Sequence, residues 1–154
     1  MDKKLLNSTA NSLVEDSKGI LAADESTGTI SKRFEQINLE SNFENRRMYR
    51  EILFSTVELE KYISGIIFFD ETIKQSDSNN ISFVKLLNEK GIQVGIKVDK
   101  GAKKLFGSQD EKITEGLDGL PERITEYKNI GATFTKWRAV IKISGDIPSD
   151  YCIK

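Results

Sequence analysis

Four short blocks of this chain are almost wholly apolar, and each is bounded by polar residues. Such blocks predict strands that are covered on both faces, as in parallel sheets. The predicted strands are Lys18–Asp24, Ile63–Asp70, Ile92–Asp99 and Ala132–Val140. Longer helix-forming segments separate them, so strand and helix alternate along the chain. This order predicts an α/β protein with helices packed outside a parallel sheet.

The helix-forming segments have recognisable ends. They cover Lys3–Val14, Thr27–Ile37, Glu44–Tyr62, Ser82–Lys90 and the stretch from Pro121 to Gly131. Gly91 and Gly131 are expected to end two of these helices, because glycine is a common helix terminator. One stripe with a period near 3.6 is expected to face the core, and it consists of Tyr49, Ile52, Leu53 and Val57. The stretch between Asp99 and Pro121 predicts a polar loop.

Two architectures share this alternation, an open doubly wound sheet and a (β/α)8 barrel. The loop after the first strand is DESTGT and lacks the G-x-G-x-x-G pattern, which weakens the doubly wound alternative. Strands that each end in polar residues favour a barrel, whose sites lie at the carboxyl ends of its strands. Because a barrel has eight strands and about 250 residues, this chain predicts a partial TIM barrel.

The composition excludes several classes of function. Lys and Arg total 23 and Asp and Glu 24, a net charge of -1 that lacks the basic footprint of a nucleic-acid binder. There is no histidine, so neither a histidine base nor His-ligated zinc is available. The single cysteine, Cys152, excludes an internal disulfide and fits a reducing compartment. No signal peptide or membrane-spanning run is present, so a soluble, cytosolic protein is expected.

Ionisable side chains stand at the ends of three predicted strands. They are Asp24, Lys97 with Asp99, and Lys136 with Arg138. Charges at the mouth of buried strands are costly unless they are paired or bind a ligand, so a polar site is expected there. Clustered cations lower one another's pKa, and a neutral lysine can form a Schiff base. The alternatives are that the cations hold a phosphorylated or carboxylated substrate, or that they form a structural ion-pair network.

A second candidate site precedes the helix that begins near Thr27. Ser26 and Thr29 lie at this helix start, and Arg33 follows in an early turn. Amides at a helix start, hydroxyls and nearby cations suit a phosphate group. The alternative is that Ser26 or Thr27 only caps the helix. Trp137 is expected to pack between its strand and a helix, because it lies on the opposite face from Lys136.

Several motifs of the chain resemble class I fructose-bisphosphate aldolases. In order they are KGILAADESTGTISKRF, ENRRMYREILFST, SGIIFFDET, GIKVDKG, LDGL and GATFTKWRAV, and the resemblance runs from about Leu5 to the end. It implies a (β/α)8 barrel, usually a homotetramer, that needs no metal or other cofactor. The implied reaction cleaves fructose-1,6-bisphosphate into dihydroxyacetone phosphate and glyceraldehyde 3-phosphate through a lysine Schiff base.

The resemblance implies roles for seven residues. Asp24 matches the first-strand aspartate that acts around carbinolamine formation and carbon–carbon cleavage, and Lys136 matches a lysine that assists proton transfers. Substrate binding is implied for Ser26, Thr29, Arg33, Lys97 and Arg138. In the family the Schiff-base lysine lies on the sixth strand and the main acid/base glutamate on the fifth.

Residues 1–154 are therefore expected to be the N-terminal half of a single TIM-barrel aldolase domain, with its first four β/α units. The alternative is a non-catalytic half barrel that binds phosphosugars or other anions and self-associates. In both cases the first and fourth strands leave open edges, and part of the apolar interior is uncovered.

Open edges and uncovered apolar surface promote self-association. We predict that the isolated 154-residue chain aggregates, dimerises or stays molten, and has negligible lyase activity. Light scattering and thermal unfolding test this expectation. A monodisperse monomer with a sharp unfolding transition would contradict it.

Overall fold

Four parallel strands form one sheet in the computed structural model, which describes residues 2–154. The strands of the chain are β1 (Gly19–Ala23), β2 (Ile63–Phe68), β3 (Gln93–Lys97), β4 (Ala102–Lys104), β5 (Lys112–Thr114) and β6 (Phe134–Lys136). The sheet has the order β1-β2-β3-β6, and every neighbouring pair is parallel. This arrangement confirms the predicted α/β class and the partial (β/α) barrel.

Helices connect these strands. They are α1 (Lys3–Ser12), α2 (Thr27–Glu35), α3 (Phe43–Phe54), α4 (Asp70–Ile73), α5 (Phe83–Glu89), α6 (Leu120–Ile130) and α7 (Asp150–Ile153). The side chains of Asp2, Asn42 and Ser82 accept hydrogen bonds from the first-turn amides of α1, α3 and α5, which fixes where these helices begin. Between residues 2 and 154, no helix is long and apolar enough to span a bilayer.

The hydrophobic core lies between the sheet and the helices. Its fully buried large side chains include Ile66, Phe68, Val94 and Ile96 from the strands and Phe54, Phe83 and Leu87 from the helices. The ring of Phe54 stacks on Phe68 with centroids 4.8 Å apart, and it meets Phe83 edge-on at 5.1 Å. Because strand side chains alternate, the opposite face of β3 carries Gly95 and Lys97. One face of the sheet therefore packs in the core, and the other carries the polar side chains at the strand ends.

Glycine is required in β2 and β3, where the Phe134 side chain of β6 lies against the strand backbones. A Cβ atom on Gly95 would lie 2.3 Å from the ring of Phe134, and one on Gly65 would lie 3.3 Å from the same ring. The two glycines therefore leave room for the Phe134 ring against the backbones of β2 and β3.

The predicted helix Glu44–Tyr62 is wrong beyond Phe54. Lys90 Nζ donates to the carbonyl oxygens of Phe54 at 3.1 Å and Thr56 at 2.9 Å, and so satisfies the free carbonyls at the end of α3. Glu58 then adopts a left-handed conformation with φ 60°, and a short 3-10 turn at Leu59–Lys61 leads into β2.

The predicted core-facing stripe of this helix is also wrong in part. Ile52 is 69% exposed and Val57 is 84% exposed, whereas Arg50 and Phe54 are buried. The helix face is set by the aromatic core around Phe54 and by a buried ion pair of Arg50. The period of apolar residues did not predict this buried face, because it does not count an arginine as a buried residue.

The stretch predicted as a polar loop contains an antiparallel hairpin, in which β4 pairs with β5. The last strand, β6, covers only the centre of the predicted Ala132–Val140, and Trp137 is 37% exposed instead of packed between strand and helix. Both differences arise where the chain leaves the parallel sheet and contacts the hairpin.

We predict that Gly95→Ala destabilises the fold by about 1–3 kcal/mol, because the new methyl group overpacks against the Phe134 ring. The midpoint of urea denaturation measures the effect, in a fusion of this chain with a segment that completes the barrel. Gly28→Ala is the matched control, since a Cβ atom there has no neighbour within 4 Å. The packing interpretation fails if both variants shift the midpoint equally.

Candidate active site

A cleft of about 950 Å³ opens at the carboxyl ends of the parallel strands. It contains six of the seven predicted site residues, which are Asp24, Ser26, Thr29, Lys97, Lys136 and Arg138. The parallel direction of the strands explains why these residues lie together, since the carboxyl ends of parallel strands lie at one edge of the sheet. Arg33 is the member that does not line the cleft.

Asp24 and Lys136 form the longest-range contact of the cleft. The Nζ atom of Lys136 donates to Oδ2 of Asp24 at 2.5 Å, and the two residues are 112 positions apart in sequence. Asp24 follows β1 and Lys136 ends β6, which are the two outer strands of the sheet. Three strand spacings, about 14 Å in a flat sheet, separate these strands. The contact therefore shows that the sheet curves toward its polar face.

Asp99 organises the neighbouring strand end. Its carboxylate pairs with the Nζ atom of Lys97, and it accepts the backbone N–H groups of Gly101 and Arg138, each at 3.1 Å. Burial alone would raise the pKa of Asp99. The hydrogen bonds from Lys97, Arg138 and Gly101 outweigh burial, so the pKa lies below its usual value of 3.8.

The backbone of Arg138 is held on both sides. Asp99 accepts its N–H group, and the hydroxyl of Thr114 donates to its carbonyl oxygen at 2.9 Å. Among the side chains that the structure describes, no carboxylate pairs with the Arg138 guanidinium. The hairpin thus fixes the backbone of an arginine whose charge remains available to an anion in the cleft.

The start of α2 faces the same cleft. Ser26 is the N-cap residue, but its side chain makes no capping hydrogen bond and instead shares one with the Thr29 hydroxyl at 3.2 Å. The alternative was that Ser26 or Thr27 only caps the helix, and Ser26 does occupy the N-cap position, but its side chain takes no part in the capping. The two hydroxyls and the positive end of the helix suit an anionic group.

Arg33 lies on the outer side of α2. It pairs with the carboxylate of Glu25 and donates to the Tyr49 hydroxyl at 3.3 Å. The charge of Glu25 raises the pKa of Arg33. The sequence analysis predicted Arg33 in the site because it follows Ser26 and Thr29 closely along the chain. In the structure its ion pair with Glu25 keeps it outside the cleft.

The opposite wall consists of residues that the sequence analysis did not select. The Tyr127 hydroxyl donates to Oδ1 of Asp70 at 2.9 Å, and Lys74 pairs with Glu126 at 3.0 Å. Arg123 donates to the carbonyl oxygen of Val98 at 3.0 Å. Two sequence features could have indicated this wall. They are the LDGL motif with the arginine that follows it, Arg123, and the aspartate at the end of ISGIIFFD, Asp70.

The cleft is rich in charge of both signs. Seven basic side chains line it with five acidic ones, and the basic set is Lys74, Lys97, Lys100, Lys112, Arg123, Lys136 and Arg138. The excess of cations favours a ligand with anionic groups. Lys97 and Lys136 each donate to a carboxylate, which engages the two amines in ion pairs. The described side chains include no group of three or more acidic or cysteine residues that could hold a metal ion.

We predict that Asp99→Asn lowers the free energy of unfolding at pH 7 by about 1–3 kcal/mol, because buried donors lose a charged acceptor. The folded-state pKa of Asp99 is depressed, so its contribution is present above pH 3.8 and is lost as the pH falls through the folded-state value. Urea denaturation of the same barrel-completing fusion at several pH values tests this. The wild-type and variant stabilities should converge only in acid, and a constant gap would contradict the assignment.

Comparison with known proteins identifies the family. The family model for class-I fructose-bisphosphate aldolase matches residues 5–154. A probable fructose-bisphosphate aldolase class 1 of Xylella fastidiosa strain Temecula1 is 54% identical over 153 residues, which is 99% of this chain and 46% of that protein. Rat fructose-bisphosphate aldolase C is 53% identical over 152 residues, which is 98% of this chain and 42% of that protein.

A solved structure gives the same result. Fructose-bisphosphate aldolase of Plasmodium falciparum, in a ternary complex with TRAP and a small-molecule inhibitor, superimposes with a TM-score of 0.93 at 49% identity. The match covers 97% of this chain and 44% of that one, so the chain spans less than half the length of these relatives. The resemblance predicted from the motifs is confirmed, and the chain belongs to the class-I fructose-bisphosphate aldolase family.

Proposed function

We propose that this chain supplies the first half of the active site of a fructose-bisphosphate aldolase, as the N-terminal part of a single barrel domain. The observation that carries the proposal is the contact between Asp24 and Lys136 inside a cleft with an excess of cations. A carboxylate and an ammonium group within hydrogen-bond distance can pass a proton to and from a reacting oxygen. A bisphosphorylated sugar supplies the anionic groups that the remaining cations bind.

Each candidate residue then has a role. Asp24 and Lys136 are the proposed catalytic pair, which moves protons during carbinolamine formation and carbon–carbon cleavage. Substrate phosphate or hydroxyl groups are bound by Ser26, Thr29, Lys97 and Arg138, whereas Arg33 lies outside the cleft and is paired with Glu25. The family resemblance extends the proposal to a metal-independent, homo-oligomeric enzyme of the cytoplasm.

The nucleophile is proposed to lie outside this chain. Lys97 and Lys136 are both engaged with carboxylates, so neither amine is free to attack a carbonyl carbon. The resemblance assigns the Schiff base to a lysine on a sixth strand, and the sheet described here has four strands. Activity therefore requires a segment that completes the barrel.

A fusion tests this proposal. We would join this chain to the part of the Xylella fastidiosa relative that follows its matched region, and measure fructose-1,6-bisphosphate cleavage by coupled NADH oxidation. We expect turnover by the fusion, with a reduced sugar adduct in the added part after borohydride treatment. We expect Lys136→Met to lower kcat about 100-fold, the range of lost acid–base catalysis.

Lys85→Met is the matched control, because Lys85 is 66% exposed on α5 and lies outside the cleft. Its kcat should equal that of the wild-type fusion. A soluble, folded fusion that binds inorganic phosphate without cleaving the sugar would instead support the anion-binding alternative. An adduct on Lys97 or Lys136 would overturn the assignment of the nucleophile.

A further inference from the structure

Arg50 is a buried charged residue that the proposed mechanism does not use. It lies on α3, its side chain is 3% exposed, and it is absent from the lining of the cleft. Arginine is almost never fully buried unless it is paired. Its burial therefore calls for an explanation in terms of what it contacts.

The contacts of Arg50 converge on one residue, Glu25. The Nη1 atom of Arg50 lies 3.0 Å from Oε2 of Glu25, and its Nη2 atom donates to the backbone carbonyl oxygen of Glu25 at 3.0 Å. The guanidinium carbon also lies 5.1 Å from the centroid of the Tyr49 ring, on the same helix. The guanidinium group thus donates a hydrogen bond to the peptide group of Glu25 and lies in ion-pair contact with its carboxylate, although no hydrogen bond joins Nη1 to Oε2.

Glu25 is the residue between the proposed catalytic Asp24 and the N-cap residue Ser26. Its carboxylate is also bound by Arg33, so it is held between two arginines that reach it from two helices. Asp24 is fixed on one side by β1, which ends at Ala23, and on the other side by Glu25. The direction in which Asp24 points toward Lys136 therefore depends on how Glu25 is held.

Lysine cannot replace this arrangement. Arginine presents donors in a rigid planar fork, whereas lysine carries a single point charge. Burial lowers the pKa of Arg50, and the carboxylate of Glu25 opposes that effect. An uncompensated charge at this position would be strongly destabilising, so Arg50 and Glu25 act as a unit.

We propose that Arg50 is a positioning residue, which holds Glu25 from behind the cleft and thereby orients Asp24 and Ser26. It does not touch the substrate. Its consequence for turnover rests on the proposed function, but its effect on the backbone of residues 24–30 does not.

Local hydrogen exchange tests the proposal on the fusion that completes the barrel. In Arg50→Lys, amides of residues 24–30 should exchange about tenfold faster, because that segment loses its anchor, while residues 92–98 keep their protection. Arg47→Lys is the matched control, since Arg47 lies on the same helix and pairs with Glu44 and Glu51 instead. Unchanged exchange at residues 24–30, or an equal increase at residues 92–98, would overturn the proposal.

Chemical rescue provides a second readout in the active fusion. Arg50→Ala should lower kcat, and guanidinium added well below denaturing concentrations should restore it, whereas sodium chloride at equal ionic strength should not. An Arg50→Ala fusion with wild-type kcat, or one that both salts restore equally, would contradict the positioning role. An inactive wild-type fusion would contradict the proposed function alone, since hydrogen exchange still decides the role of Arg50.

Discussion

The ion pair between Asp24 and Lys136 joins the two outer strands of the parallel sheet. It can form only because the sheet curves and brings the ends of β1 and β6 toward each other. The same curvature turns a row of strand ends into a cleft, which Ser26, Lys97 and Arg138 line together. Fold and site thus share one constraint, which is the approach of two strands that lie far apart in sequence.

Two features of the sequence make that approach possible. Gly65 in β2 and Gly95 in β3 leave room for the Phe134 ring on the sheet face opposite the core. Packing on that face therefore favours the curved sheet. The buried carboxylates of Asp24 and Asp99 are each paired with a lysine, which offsets their loss of hydration. After these pairings the guanidinium of Arg138 keeps no carboxylate partner among the described residues, and the cleft retains positive charge for an anion.

The sequence was sufficient to predict the parallel strands and the charges at their ends, because alternation and strand polarity are local and directional. It could not predict the end of α3, which depends on Lys90, or the position of Arg33, which depends on Glu25. The hairpin was missed because its strands are three residues long and mostly exposed. The buried Arg50 was missed because periodicity considers only apolar residues. Each of these features is set by a tertiary contact.

A double-mutant cycle on the ion pair tests the account most directly. Free energies of unfolding would be measured in the fusion that completes the barrel, for wild type, Asp24→Asn, Lys136→Met and the double variant. If the pair holds the outer strands together, the two substitutions should be coupled by about 1 kcal/mol or more, as expected for residues in direct contact. Strictly additive effects would show that the outer strands approach each other without this contact, and would contradict the central claim.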